Sequence, residues 1–213
     1  MYSKLPYLRW VLPNAPFNRE AMDRAWYVPK ALPNAAKPRV PGHEEEDEVV
    51  GQVEPGDEAG IMSAVAYVDQ LVEEEVRNRG VDAKRIVVGG FSQGCAVSLI
   101  WGLTGRWRDR VAGVVCLSGY FPLAGRIELL RMEKEDDDAG AGEGDGDKKW
   151  FLAHGTKDML VPVRLFEKST GELSKFVDMQ RGVEGHLYEG MVHSTAAPEL
   201  RDLLGWFDKV VPG

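Results

Sequence analysis

Cysteine is scarce in this chain: Cys95 and Cys116 are the only two in 213 residues. One falls in a helical pattern and the other in a strand pattern, so both read as buried reduced thiols and a disulfide scaffold is excluded. The four histidines are scattered, and no Cys/His spacing of the kind that holds zinc is present, so no metal and no cofactor are expected. Positive charge is also short: the formal net charge is −8 and Lys and Arg form no patch. That argues against a nucleic-acid partner, because phosphate binding needs clustered cations. No apolar run is long enough to span a bilayer, and no secretory leader is expected, although an incomplete start would hide a targeting segment. A cytoplasmic protein without an integral membrane segment is the expectation that remains.

What is present fits one domain over residues 1–213. Strand-like and helical patterns alternate, which predicts an α/β architecture with a mostly parallel sheet flanked by helices. Glu58 to Arg79 carries apolar residues at 61, 65, 68, 72 and 76, a helical spacing, with Gly80 as its stop. Pro162 and Pro198 mark two further helix starts, leading into 163–177 and 199–211. The last of these has an apolar stripe of Leu200, Leu203, Leu204, Phe207 and Val211, read as core. Two acidic stretches, about 35–57 and 133–149, are expected to be flexible loops, since neither can bury a core. Calcium binding by Asp136-Asp137-Asp138 or Asp145-Gly146-Asp147 is not expected, because the EF-hand spacing is absent.

The stretch that carries chemistry is Gly90-Phe91-Ser92-Gln93-Gly94. Arg85 to Gly89 reads as a buried strand, and 94–103 reads as a helix. A G-x-S-x-G pentad between such elements forces its serine into a sharp, strained turn with the hydroxyl exposed. Small residues at 90, 94, 95 and 96 are expected to allow the close backbone approach that this turn demands.

A serine hydroxyl needs a base to attack a carbonyl, and the base needs an acid to orient it. Both partners occur downstream, each on a loop after a strand pattern. Trp150 to His154 leads into Gly155-Thr156-Lys157-Asp158, and Val183 to Tyr188 leads into Glu189-Gly190-Met191-Val192-His193. Ser92 is therefore the candidate nucleophile, Asp158 the acid and His193 the base, and the Gln93 N–H is an oxyanion donor. His154, at the end of an apolar strand, is read as a packing or supporting group; His186 lies within a strand and His43 in the acidic linker. Asp202 and Asp208 are placed on the last helix, facing solvent.

The three ordered segments, 85–94, 154–162 and 188–194, resemble the acyl-protein thioesterase branch of the phospholipase/carboxylesterase family. Similarity extends to Leu12-Pro13-Asn14-Ala15-Pro16, Ala25-Trp26-Tyr27, Glu58-Ala59-Gly60-Ile61 and 117–123. The resemblance implies an α/β-hydrolase fold. It also implies a serine hydrolase acting on S-palmitoyl-cysteine thioesters of acylated proteins, or on small esters and lysophospholipids. Transient contact with a membrane surface follows from such substrates.

The departures matter as well. Family members open with an apolar strand and a His-Gly-x-Gly-Asp type loop that supplies the second oxyanion donor, whereas this chain enters almost at once a strand pattern at Tyr7 to Leu12. An N-terminally truncated fold is the expectation, with an unpaired central edge beside the strand ending at Gly89. An incomplete chain is the preferred account, and a divergent relative that lost the loop is the other. Trp26, Phe121 and Leu123 either line an acyl pocket or belong to the core. The rival to an enzyme is an impaired hydrolase-like protein or fragment that acts as a non-enzymatic interaction module.

Overall fold

The structure, a computed structural model, describes residues 5–28, 57–135 and 148–212. After a short hairpin of β1 (Phe17–Asn18) and β2 (Asp23–Arg24) come α1 (Glu58–Glu73), β3 (Val87–Phe91), α2 (Gln93–Thr104), β4 (Gly113–Leu117) and α3 (Ile127–Glu135). The second half adds β5 (Lys149–Gly155), α4 (Val163–Leu173), α5 (Met179–Gly182), β6 (Val183–Tyr188) and α6 (Ala197–Val210). Strands β3, β4, β5 and β6 form one sheet in chain order. All three pairings are parallel, as expected for strands joined through helices.

Sequence alternation sets the two faces of this sheet. In β4, Val114 and Cys116 join the cluster built with α1 and α2, while Val115 and Leu117 join the cluster built with α6. Trp150 and Leu152 of β5 follow the first pair, and Phe151 and Ala153 follow the second. Side chains therefore point alternately to helices on either side, giving three layers. Helix α2 is buried from Cys95 to Thr104, which explains why its apolar residues run all round rather than along one stripe. On the other face Trp206 meets Phe151 at 5.9 Å and Phe207 at 5.5 Å between ring centroids. Each such ring contributes roughly 2–3 kcal/mol by burial.

The expected helix at 58–79 forms, with a change of winding. Asp57 caps α1 by accepting from the Gly60 N–H at 2.8 Å. A π-turn at Glu74–Asn78 then continues α1, and the chain leaves through Gly80 at φ +70°. Pro162 and Pro198 stand at the starts of α4 and α6, although α4 ends at Leu173 rather than Val177. The acidic stretch after α3 begins later than expected, because Glu133 to Glu135 continue the helix. The residues of the first acidic linker up to 56, including His43, and the Asp136–138 and Asp145–147 runs lie outside the described residues.

Tyr7 to Leu12, expected as a strand, does not form one. Its start is a turn, with the Leu8 N–H donating to the Leu5 carbonyl at 3.1 Å, and Trp10 packs edge-on against Phe207 at 6.0 Å. The physical reason is the lack of a ladder: a strand is defined by its neighbour, and an apolar cavity of about 870 Å³ separates this segment from β3. Leu8, Trp10 and Leu12 are among the residues lining one side of the cavity, and Val88, Val97 and Phe207 among those lining the rest. Among the described residues β3 is consequently an edge strand, paired with β4 alone.

Candidate active site

The parallel arrangement brings the C-terminal ends of β3, β5 and β6 to one rim of the sheet, where loops from an α/β sheet gather functional groups. At the end of β3 the chain reverses at Ser92, whose φ of 55° and ψ of −116° lie where side chains are rarely tolerated. The Ser92 N–H is held by the Leu117 carbonyl at 2.9 Å, and its own carbonyl accepts from the Ala96 N–H at 3.2 Å. The strand therefore runs two residues further than its sequence suggests, to Phe91, and α2 starts at once at Gln93.

The pentad's two glycines are not equivalent. A Cβ on Gly90 would stand 2.2 Å from the Gly94 carbonyl carbon, so position 90 must be glycine. A Cβ on Gly94 would meet nothing within 4 Å, which corrects the expectation that both flanking glycines are needed for close approach. A side chain at 94 would point into open space; it is the backbone at 94, not its lack of a side chain, that crowds Gly90.

Asp158 follows β5 in a tight turn and its side chain is completely buried. Oδ1 accepts from the N–H groups of Leu160 at 2.9 Å and Val161 at 2.8 Å, and Oδ2 accepts from His193 Nδ1 at 2.7 Å. These donors satisfy both oxygens of a side chain that water does not reach. His193 follows β6 after Gly190, which takes φ +74°. Its ring lies 4.8 Å from that of Phe91, and Nε2 stands 2.9 Å from Ser92 Oγ. Since the carboxylate can only accept, the neutral ring carries its proton on Nδ1 and offers the Nε2 lone pair to the hydroxyl.

Two loops that are distant in sequence thus meet, and their backbones are laced together. The Thr156 N–H donates to the Tyr188 carbonyl at 3.0 Å, the Lys157 N–H to the Met191 carbonyl at 3.0 Å, and the Gly190 N–H to Thr156 Oγ1 at 2.9 Å. Gly155 makes the approach possible, for a Cβ there would lie 2.1 Å from the Met191 carbonyl oxygen. Neither this role nor the paired donors to Asp158 is legible without the fold. The run Asp158-Met159-Leu160-Val161 does carry the spacing at which an aspartate closes a turn on its own backbone.

Gln93 contributes more than its main chain. As the first residue of α2 its N–H has no partner within the helix and stands next to Ser92. Its side-chain amide accepts from the Trp26 N–H at 3.1 Å and donates to the Tyr27 carbonyl at 3.3 Å. That pair of hydrogen bonds ties residues 26–27 to the serine turn, and Trp26 lines the cavity beside Ser92. Phe121 and Leu123 are instead buried in the core, as are Cys95 and Cys116, which are not bonded to each other. Burial raises the Cys116 thiol well above its ordinary value.

The competing groups lie elsewhere or serve the scaffold. His186 stacks on Tyr188 and contacts Glu184 at 3.1 Å, and Asp178 caps α5. Asp202 and Asp208, expected to be solvated, accept the hydroxyls of Tyr188 at 2.8 Å and Tyr7 at 2.9 Å. Among the described residues no group of three or more His, Cys, Asp and Glu side chains is arranged to hold a metal ion, and no helix is long and apolar enough to cross a membrane.

Comparison with known proteins bears on the fold and the family. An acyl-protein thioesterase 1 from Yarrowia lipolytica is 31% identical over 215 residues, covering 97% of this chain and 79% of that protein. One from Emericella nidulans is 37% identical over 158 residues, covering 73% and 60%. The crystal structure of Arabidopsis thaliana SOBER1 superimposes with a TM-score of 0.70 at 23% identity over 98% of this chain and 87% of that one, which shows the α/β-hydrolase fold. Residues 45–211 match the phospholipase/carboxylesterase family, an esterase and thioesterase family of α/β hydrolases, and the chain belongs to it.

Proposed function

We propose that the chain hydrolyses acyl thioesters on cysteine residues of acylated proteins, and carboxylic esters, through an acyl intermediate on Ser92. The observation that carries this reading is the unbroken run of hydrogen bonds from Ser92 Oγ through His193 to Asp158, at 2.9 and 2.7 Å. In the attack, Oγ forms a bond to the acyl carbon while its proton passes to His193 Nε2. Asp158 stabilises the imidazolium that results. The developing oxyanion is received by the Gln93 N–H. As the intermediate collapses the imidazolium gives its proton to the departing sulfur or oxygen, expelling a thiol or alcohol. Water, deprotonated by the regenerated imidazole, then attacks the acyl carbon, and the bond to Ser92 Oγ breaks with return of the proton to Oγ, releasing the acid.

Thioesters are the favoured substrates for two reasons: the relatives at 31% and 37% identity are acyl-protein thioesterases, and a thiolate leaves without full protonation. The apolar cavity beside Ser92 suits an acyl chain, and such substrates bring the enzyme into transient contact with membrane surfaces.

The test is labelling by a fluorophosphonate serine probe beside a Ser92→Ala control, followed by turnover of S-acyl-cysteine peptides and matched oxygen esters. Ser92-dependent labelling and a preference for the thioester are expected, and the variant should lose about 10⁴- to 10⁶-fold in kcat. Folded protein that takes up no probe at Ser92 would leave a non-enzymatic interaction module as the better account.

A further inference from the structure

Among the described residues a second histidine near the site, His154, is not within the hydrogen-bonded run but sits behind it. It is completely buried at the end of β5. Its Nε2 stands 2.7 Å from the Val161 carbonyl and 3.7 Å from Asp158 Oδ2, and its ring stacks on Phe166 with centroids 5.0 Å apart. A carbonyl can only accept, so Nε2 carries a proton. Val161 is then tied on both sides of its Cα: its N–H donates to Asp158 Oδ1 at 2.8 Å, and its carbonyl receives the His154 N–H.

We propose that His154 is a positioning residue, which holds the turn Asp158–Val161 against the end of β5 and so fixes the carboxylate on which His193 is oriented. Strand β5 is an interior strand of the sheet, and the histidine transmits its rigidity to a turn whose Met159 and Leu160 are exposed. Burial also lowers the proton affinity of the imidazole, which keeps the ring neutral beside the Asp158 anion. The inference rests on the proposed role of Asp158 in hydrolysis.

Two substitutions separate positioning from packing. His154→Gln places an amide N–H at the position of Nε2 but loses the aromatic stack. His154→Phe keeps the stack and volume but has no donor. If the residue only packed, activity would follow volume and Phe would be the better replacement. The reverse order is expected in kcat for a short p-nitrophenyl ester: Gln within about threefold of wild type, Phe lower by about 10- to 100-fold, with KM little changed in both. Equal kcat for the two folded variants, or Phe above Gln, would overturn the proposal. Should either variant fail to fold, nitrogen-15 spectra of the histidines in the unaltered protein decide. The neutral Nε2–H form of His154 is expected, and an Nδ1–H form would overturn the proposal, since it leaves Val161 without a donor. Loss of Ser92-dependent turnover in the wild type would instead strike at the hydrolase reading itself.

Discussion

Substituting Gly155 by alanine is the sharpest test of how the site is assembled. The added methyl would begin 2.1 Å from the Met191 carbonyl oxygen and 2.7 Å from its carbon, both backbone atoms. Real contacts of this kind do not fall below 3.0 Å, so the Asp158 and His193 loops must separate by about 1 Å. The Lys157–Met191 hydrogen bond, now 3.0 Å, would be lost, and the His193–Asp158 contact would open. Displacement on that scale is expected to lower kcat by about 100-fold, and the overpacking to reduce stability by roughly 1–3 kcal/mol. Ester turnover and urea denaturation measured on the same sample separate the two effects. Gly205→Ala serves as a control, because that helical position has nothing within 4 Å, and it should stabilise by up to about 1 kcal/mol. A folded Gly155→Ala protein with kcat within about twofold of wild type would refute the claim that this glycine sets the spacing of the two loops.

Two other perturbations have directions fixed by the structure. Gly90→Ala should abolish Ser92 labelling, because its methyl collides with the Gly94 backbone, while Gly94→Ala should leave the fold intact and no less stable; thermal melts and probe labelling compare them. Lys148 donates to the Arg108 carbonyl at 2.9 Å and to the Gly102 carbonyl, and burial lowers its pKa from 10.5 to about 8. Between these values the unfolded chain binds the proton that the folded protein releases, so this group makes stability rise with pH, by about 3 kcal/mol at most. Denaturation between about pH 8 and pH 10 should show that rise in wild type and a flatter profile in Lys148→Met, and parallel profiles would contradict it.

The elements that carry Ser92, Asp158 and His193 were legible because their signals are local. Glycines around a serine, and an acid or a histidine just after an apolar run, constrain the backbone within a few residues. Helix α1 was legible from its apolar spacing, though its π-turn at Glu74–Asn78 was not, since nothing in that acidic and basic run marks a change of winding. What failed depended on partners far away in sequence. Tyr7 to Leu12 has the alternation of a strand but, among the described residues, no neighbour at ladder distance. Gly94 looked like a steric necessity until the direction of its missing Cβ was known. The aid that His154 gives to Asp158 depends on a turn closing back onto its own strand, and four residues of spacing alone do not reveal it.

The open side of β3 bears on how this protein behaves in company. Among the described residues the strand that delivers Ser92 is hydrogen-bonded on one side only, and the ladder positions on its other side face the cavity. A strand added there would occupy the cavity at its flank, which Ser92 also lines. Occupancy of that edge and access of an acyl group to Ser92 would therefore exclude one another.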